Sequence, residues 1–195
     1  MLSVLADLRA ASALAGFYLA GGTGLALRLG HRRSIDLDFF SAGHFAEEAL
    51  LQRVQSLEGF SLVSRGDQTI HAEIRGTKVS FLGFPYPLLF PPQEFEGVPV
   101  ADPRDIACMK ISAIAGCGAR RDFIDLYVVA REHGLQNLLD LFHRKFAQAN
   151  YSRPHLLKSL CFFEDAEKDP LPEMLVPLAW PEVTNYFLRE APRLL

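Results

Sequence analysis

At 195 residues, 49% of them hydrophobic, the chain is long enough for one sizeable domain or two small lobes, and too apolar and varied to be disordered. A formal net charge of -3 excludes a global basic field that would bind nucleic acid by charge alone. Cys108, Cys117 and Cys161 have no CxxC spacing and cannot all pair within the chain, which suits reduced thiols in the cytoplasm.

The chain opens with an Ala/Leu-rich helix near residues 3 to 15. The uncharged run from Ala10 to Leu27 approaches the length of a membrane span. Its Ala and Gly content, with Gly21-Gly22-Thr23-Gly24 inside it, argues against one, and Met1 to Leu8 lacks the basic start of a signal peptide. Neither a membrane nor a secretory role is expected. A short strand at 17 to 20 leads into the glycine turn and a helix over about 23 to 30. The strand Ser34 to Phe40 follows, then a helix at about 45 to 57 and three strand-like runs at 60 to 66, 69 to 75 and 77 to 83, with turns at Gly66-Asp67 and Arg75-Gly76. This first half, residues 1–84, reads as α+β.

Six prolines between Pro85 and Pro103 mark residues 85–103 as a connector, because such spacing suits neither a regular helix nor a central strand. Residues 104–195 read as mostly helical. Asp102-Pro103-Arg104-Asp105 supplies an N-cap, a proline in the first turn and an acid, opening a helix to about Cys117. Helices over 121 to 133, ending at Gly134, over 135 to 147, and from a Ser152-Arg153-Pro154 cap to about Glu164 come next. Pro170, Pro172, Pro177 and Pro181 break up the tail.

Two groups of residues can carry chemistry. Gly21, Gly22 and Thr23, between a strand and a helix, would aim unpaired N–H groups and the positive end of a helix dipole at one spot suited to phosphate; a GG turn also occurs for steric reasons alone. In HRRSIDLDFF, residues 31 to 40, Asp36 and Asp38 are two apart on a strand and share a face. They are either two solvated carboxylates or a grip for Mg²⁺ of the kind that neutralises triphosphate charge in phosphoryl and nucleotidyl transfer.

Gly21-Gly22-Thr23 followed by His31-Arg32-Arg33-Ser34-Ile35-Asp36-Leu37-Asp38-Phe39 resembles the AbiEii/AbiGii toxin nucleotidyltransferases of the polymerase-β-like superfamily. Lys110 with Arg120-Arg121-Asp122-Phe123-Ile124-Asp125-Leu126 is similar to that family's K-x-D-x-x-D motif, with arginine at the lysine position, and the similarity runs on through Phe162 to Glu167 and the tail around Met174 and Trp180. The resemblance implies a mixed sheet with flanking helices followed by a mostly helical C-terminal half. It implies that Gly21, Gly22 and Thr23 cradle the triphosphate, with Arg33, Ser34, Lys110 and Arg120 on the nucleotide. It further implies that Asp36 and Asp38 bind Mg²⁺ or Mn²⁺, and that Asp122 and Asp125 join Lys110 in the active site. Asp122 and Asp125, three apart on one helix face, would equally suit salt bridges to Arg32, Arg33 or Arg120. Arg32 and Arg33 themselves read as a solvated turn that could also neutralise phosphate.

The superfamily commonly adds a third carboxylate on a neighbouring strand as general base. On Lys78-Val79-Ser80-Phe81-Leu82, Ser80 stands at that position, and Glu73 on the preceding strand is a candidate substitute whose neighbours Ala72 and Ile74 give no clear facing. The six histidines form no HxxxH or HxH group, and no GxSxG occurs. Two readings follow. One is an enzyme that moves a nucleoside monophosphate from an NTP to an acceptor hydroxyl, with RNA such as a tRNA 3′ end as acceptor and a genetically linked antitoxin as partner. The other is a non-catalytic nucleotide-binding or interaction module that keeps the fold.

Overall fold

A computed structural model describes all 195 residues. They divide into two compact units, each assembled from separated stretches of chain: residues 1–24, 34–87 and 91–101 form the first, and residues 25–33, 88–90 and 102–195 the second.

The first unit is a seven-stranded mixed sheet with short helices. Helix α1 (Leu2–Ala10) is followed by β1 (Tyr18–Leu19), the start of α2 (Gly21–Leu29), β2 (Leu37–Ser41) and α3 (Glu47–Val54). Strands β3 (Phe60–Gly66), β4 (Thr69–Ile74) and β5 (Thr77–Gly83) form an antiparallel meander, and β6 (Gln93–Phe95) and β7 (Val98–Val100) a hairpin. The sheet order is β3-β4-β5-β2-β1-β7-β6, with β2 parallel to β5 and antiparallel to β1.

Alternation decides which face is covered. Leu37, Phe39, Ile70, Ala72, Ile74, Val79 and Phe81 are buried, while Asp38, His71 and Ser80 between them are half-buried and Glu73 and Lys78 exposed. The buried face is rich in rings: Phe39 stacks on Phe81 with centroids 5.5 Å apart, and Phe17 meets Phe81 edge-on at 5.3 Å.

The proline-rich stretch differs from the expected connector. Residues 91–101 complete the sheet, and Pro99 lies within β7, opposite Glu94 of β6. The parallel pairing of β7 with β1 is a single register point, Leu19 to Val100, so the N–H that proline lacks interrupts no long ladder. Residues 88–90 belong instead to the helical unit, where the Leu89 and Phe90 N–H groups donate to Asp105 at 3.0 to 3.1 Å.

The second unit contains α4 (Pro103–Cys117), α5 (Arg120–His133), α6 (Leu135–Lys145), α7 (Arg153–Ser159) and α8 (Trp180–Glu190). Helix α4 begins as its sequence dictates, with the Asp102 carboxylate accepting the Arg104 N–H at 3.0 Å. Helix α5 stops at Gly134, whose φ of 79° suits glycine. Helix α7 ends at Ser159 rather than near Glu164, and the proline-broken tail contains α8, in which Pro181 occupies the first turn, where its missing N–H has no helical role. Phe123 gathers the core of this unit, with ring centroids 5.0 Å from Phe163, 5.8 Å from Phe187 and 6.1 Å from Trp180.

Candidate active site

In the first unit the glycine turn and the acidic strand are built against each other. The Ala20 N–H donates to the Asp38 carbonyl at 3.0 Å, ending β1 beside β2. Helix α2 then starts at once: the Gly24 N–H donates to the Ala20 carbonyl at 2.9 Å, so the N–H groups of Gly21, Gly22 and Thr23 fall outside the helix's own ladder. Gly21 has φ of +62°, and a Cβ there would stand 2.8 Å from Asp38 Oδ2. The positive end of α2 thus opens directly beside the carboxylate of Asp38.

Thr23 faces inward. Its side chain is 1% exposed; its hydroxyl donates to the Asp36 carbonyl and lies 2.9 Å from the Ser34 hydroxyl. The threonine therefore offers a phosphate only its backbone N–H, and its side chain fixes the approach to β2. Asp36 directly precedes β2, Asp38 lies in it, and both are half-buried. Two carboxylates two residues apart supply hard oxygen donors of the kind that suit Mg²⁺, which takes one or two carboxylates and completes its shell with water and substrate phosphate. Ser80 is the register partner of Asp38 on β5, and Glu73, exposed, faces Lys78.

The second unit holds a buried ionic cluster. Asp125, 0% exposed, accepts from Arg32 Nε at 2.7 Å and Arg32 Nη2 at 2.8 Å, from His31 Nε2 at 2.8 Å, and from Lys110 Nζ at 2.8 Å. Because a carboxylate only accepts, His31 carries a proton on Nε2. Burial alone would raise the Asp125 carboxyl, but the Lys110 charge, the hydrogen bonds from Arg32 and His31, and the Arg32 charge hold it well below the usual carboxylate range. Burial would likewise lower the Lys110 ammonium, and the charges of Asp125 and Asp122 outweigh it and raise it. Lys110 Nζ also reaches Asp122 Oδ1 at 2.7 Å, while Asp122 Oδ2 accepts the Ala119 N–H at 3.1 Å at the start of α5.

Comparison with known proteins decides the family. The description "Nucleotidyl transferase AbiEii toxin, Type IV TA system" matches residues 3–90 and 69–193. The chain belongs to the AbiEii nucleotidyltransferase toxin family. An uncharacterized protein of Aquifex aeolicus (strain VF5) is 37% identical over 180 residues, which is 89% of this AbiEii chain and 85% of its own. Two solved structures share the fold. JHP933 from Helicobacter pylori has a TM-score of 0.58 at 22% identity, over 98% of this chain and 90% of its own. The antibiotic-resistance factor ANT(2'')-Ia has a TM-score of 0.53 at 17% identity, over 75% and 91%.

The residues singled out from the AbiEii pattern fall into two groups. Gly21, Gly22, Thr23, Ser34, Asp36 and Asp38 come together in the sheet unit; Arg33, Lys110, Arg120, Asp122 and Asp125 belong to the helical unit. Of the arginines offered as partners for the Asp122/Asp125 pair, Arg32 is the one used. It is 4% exposed, so its expected place on a solvated turn does not hold. The exposed Arg33 pairs with Glu173 at 3.1 Å. Arg120 donates to the carbonyls of Ala166 and Glu167 at 2.9 Å and lies over the Trp180 ring at 5.0 Å. His31 escaped sequence reasoning because its partner is 94 residues away and no spacing rule connects them.

Proposed function

We propose that this AbiEii nucleotidyltransferase moves a nucleoside monophosphate from an NTP to a hydroxyl of an RNA acceptor, for instance a tRNA 3′ end, and that it is the toxin beside a genetically linked antitoxin. The observation that carries this reading is the near contact between the first residue of α2 and Asp38, which puts an anion-binding helix start beside a carboxylate pair. The backbone N–H groups of Gly21, Gly22 and Thr23 bind phosphate oxygens. Asp36 and Asp38 would hold Mg²⁺, which when bound neutralises triphosphate charge and orients it for in-line attack. The Thr23 hydroxyl, shared with Ser34, holds the Asp36 backbone against α2, so the chain segment that carries the two acids is fixed beside the helix start before the nucleotide arrives.

Lys110, Asp122 and Asp125 are read as the internal frame of the helical unit, since each is fully engaged with the others. Arg33, 66% exposed at the side chain in its surface pair with Glu173, is a basic group of the motif that a polyanion can reach. Three free cysteines and the use of NTP suit a cytoplasmic protein, and no helix is long and apolar enough to cross a membrane.

Purified protein with Mg²⁺, each of four α-labelled NTPs and total tRNA tests the reading: label is expected to enter the tRNA, and Asp36→Ala with Asp38→Ala to abolish the transfer. The absence of a third acid beside the pair favours a second reading, a nucleotide-binding module without transfer. NTP binding with no label transferred would establish that alternative.

A further inference from the structure

On the half-exposed face of the sheet, two strands from Asp38, lies a histidine that the glycine turn and the acidic pair leave unused. His71 on β4 stands opposite Ser80 on β5, and its Nδ1 is 3.1 Å from Ser80 Oγ. Ser80 is in turn the parallel register partner of Asp38 on β2. Paired residues on adjacent strands share a sheet face, so Asp38, Ser80 and His71 form one row across three strands spaced by about 4.8 Å. The next row on that face carries Lys78 and Glu73, opposite each other on β5 and β4, with Asp36 just ahead of β2. On the other side of His71, β3 contributes the uncharged Ser64.

Nucleotidyl transfer requires the acceptor hydroxyl to lose a proton as its oxygen bonds to the α-phosphorus, and no third acid joins Asp36 and Asp38 in a group that could hold a metal ion. We propose that Ser80 and His71 together accept that proton, with Ser80 as the hydroxyl facing the acceptor and His71 as the positioning residue behind it. This inference rests on the nucleotidyl transfer proposed above. With its own proton on Nε2, His71 accepts the Ser80 hydrogen bond at Nδ1, leaving the Ser80 lone pairs directed away from the ring.

In the step, the acceptor oxygen bonds to the α-phosphorus while the bond from that phosphorus to the bridging oxygen breaks, and pyrophosphate leaves with the electron pair. The acceptor's proton passes to Ser80 Oγ as the Ser80 proton passes to His71 Nδ1. The resulting imidazolium lies in the same row as Asp38, with Glu73 and Lys78 paired in the next row of that face. A lone serine is a weak base; backed by an imidazole it gains one, by the logic of activated hydroxyls generally.

The simpler role for the same hydrogen bond is to tie β4 to β5, and the experiment separates the two. Pyrophosphate release is measured for the full chain with Mg²⁺, the four NTPs and total tRNA, alongside melting temperatures. His71→Asn keeps an acceptor for the Ser80 hydroxyl without a basic nitrogen. It should lower kcat by about 100-fold with KM for NTP and melting temperature unchanged. His71→Ala should lose as much and recover in part with added imidazole. Ser80→Asp, which puts a carboxylate beside Asp38, should support turnover that is then insensitive to His71→Ala. Wild-type kcat in His71→Asn, or a His71→Ala loss relieved neither by imidazole nor by Ser80→Asp, overturns the relay while leaving nucleotidyl transfer intact. A wild-type protein that releases no pyrophosphate overturns the transfer reading itself, and the relay with it.

Discussion

A Cβ on Gly21 would stand 2.8 Å from Asp38 Oδ2, so the first residue of α2 and the second acid of the DxD strand are separated by less than a side chain's width. The approach is possible because Gly21 lacks a side chain and because its φ of +62° belongs to the left-handed region. Gly21→Ala imposes a left-handed cost of about 1–2 kcal/mol and pushes the Asp38 carboxylate from the helix start. Mg²⁺-dependent NTP binding, followed by titration calorimetry, should weaken by roughly tenfold or more, since each 1.4 kcal/mol is a factor of ten. Unchanged affinity would mean that Asp38 does not act together with the α2 amides.

Thr23 offers a second test of how the acidic strand is held. Thr23→Val preserves shape but leaves the Asp36 carbonyl and the Ser34 hydroxyl without the threonine oxygen. A loss of about 1–3 kcal/mol in denaturant-measured stability is expected. If the hydroxyl instead bound phosphate, stability would hold and NTP affinity alone would fall.

Much of the sheet unit was legible because its signals are local. β3 and β5 occupy the expected residues, Phe60–Gly66 and Thr77–Gly83, and the β4–β5 turn falls at Arg75-Gly76, whereas the β3–β4 turn falls at Asp67-Gln68, one residue past the expected Gly66-Asp67, with Gly66 ending β3. The Asp102 cap of α4 was equally visible, being written in three consecutive residues. Prolines misled twice: Pro99 sits in a strand whose contact with β1 is one register point, and Pro181 in the first turn of α8, positions where no N–H is missed. The wiring of Asp125 was not legible at all. Helical spacing put Asp122 and Asp125 on one face, but the choice of Arg32 over Arg33 or Arg120 depends on contacts 93 residues apart in sequence. The row Asp38, Ser80, His71 was hidden for the same reason, since it exists only once β2, β5 and β4 are in register.

Asp125 is the carboxylate on which His31, Arg32 and Lys110 converge. Asp125→Asn keeps the shape but leaves Arg32 buried without its anion and Lys110 with Asp122 alone, for an expected loss of about 3–5 kcal/mol in urea-measured stability. Arg33→Ala, which removes an exposed pair with Glu173, should cost less than about 1 kcal/mol. Equal effects from the two changes would show that the buried cluster is not the frame of the unit.

Lys145 and Asp105 form a second buried pair, at 2.8 Å with both side chains 0% exposed, and Asp105 also accepts the N–H groups of Leu89 and Phe90. Lys145→Met strands a carboxylate in the core, so a loss of about 3–5 kcal/mol is expected. Adding Asp105→Asn to Lys145→Met should recover part of that loss, because no unpaired charge then remains. A double variant whose loss equals the sum of the two single losses would mean that the pair contributes through packing alone.

Acid sensitivity follows from the Asp125 cluster. With its carboxyl held below the ordinary range, the folded chain binds fewer protons there than the unfolded one. That stabilisation is fully present above the unfolded value of about 3.9 and is lost as pH falls below it toward the folded value. Lys110 works in the opposite sense: its raised folded value contributes stability below about pH 10.4, lost as pH climbs through the folded value. Melting temperatures of the wild type should therefore hold between these limits, as far as this cluster sets them, and fall on the acid side. Asp102, also held low against its burial by hydrogen bonds and charge from Arg104, adds to the acid limb. The difference between wild type and Asp125→Asn isolates the cluster's share: the two curves should converge as pH falls below about 3.9. Curves that stay parallel through that range would assign the acid limb to other carboxylates.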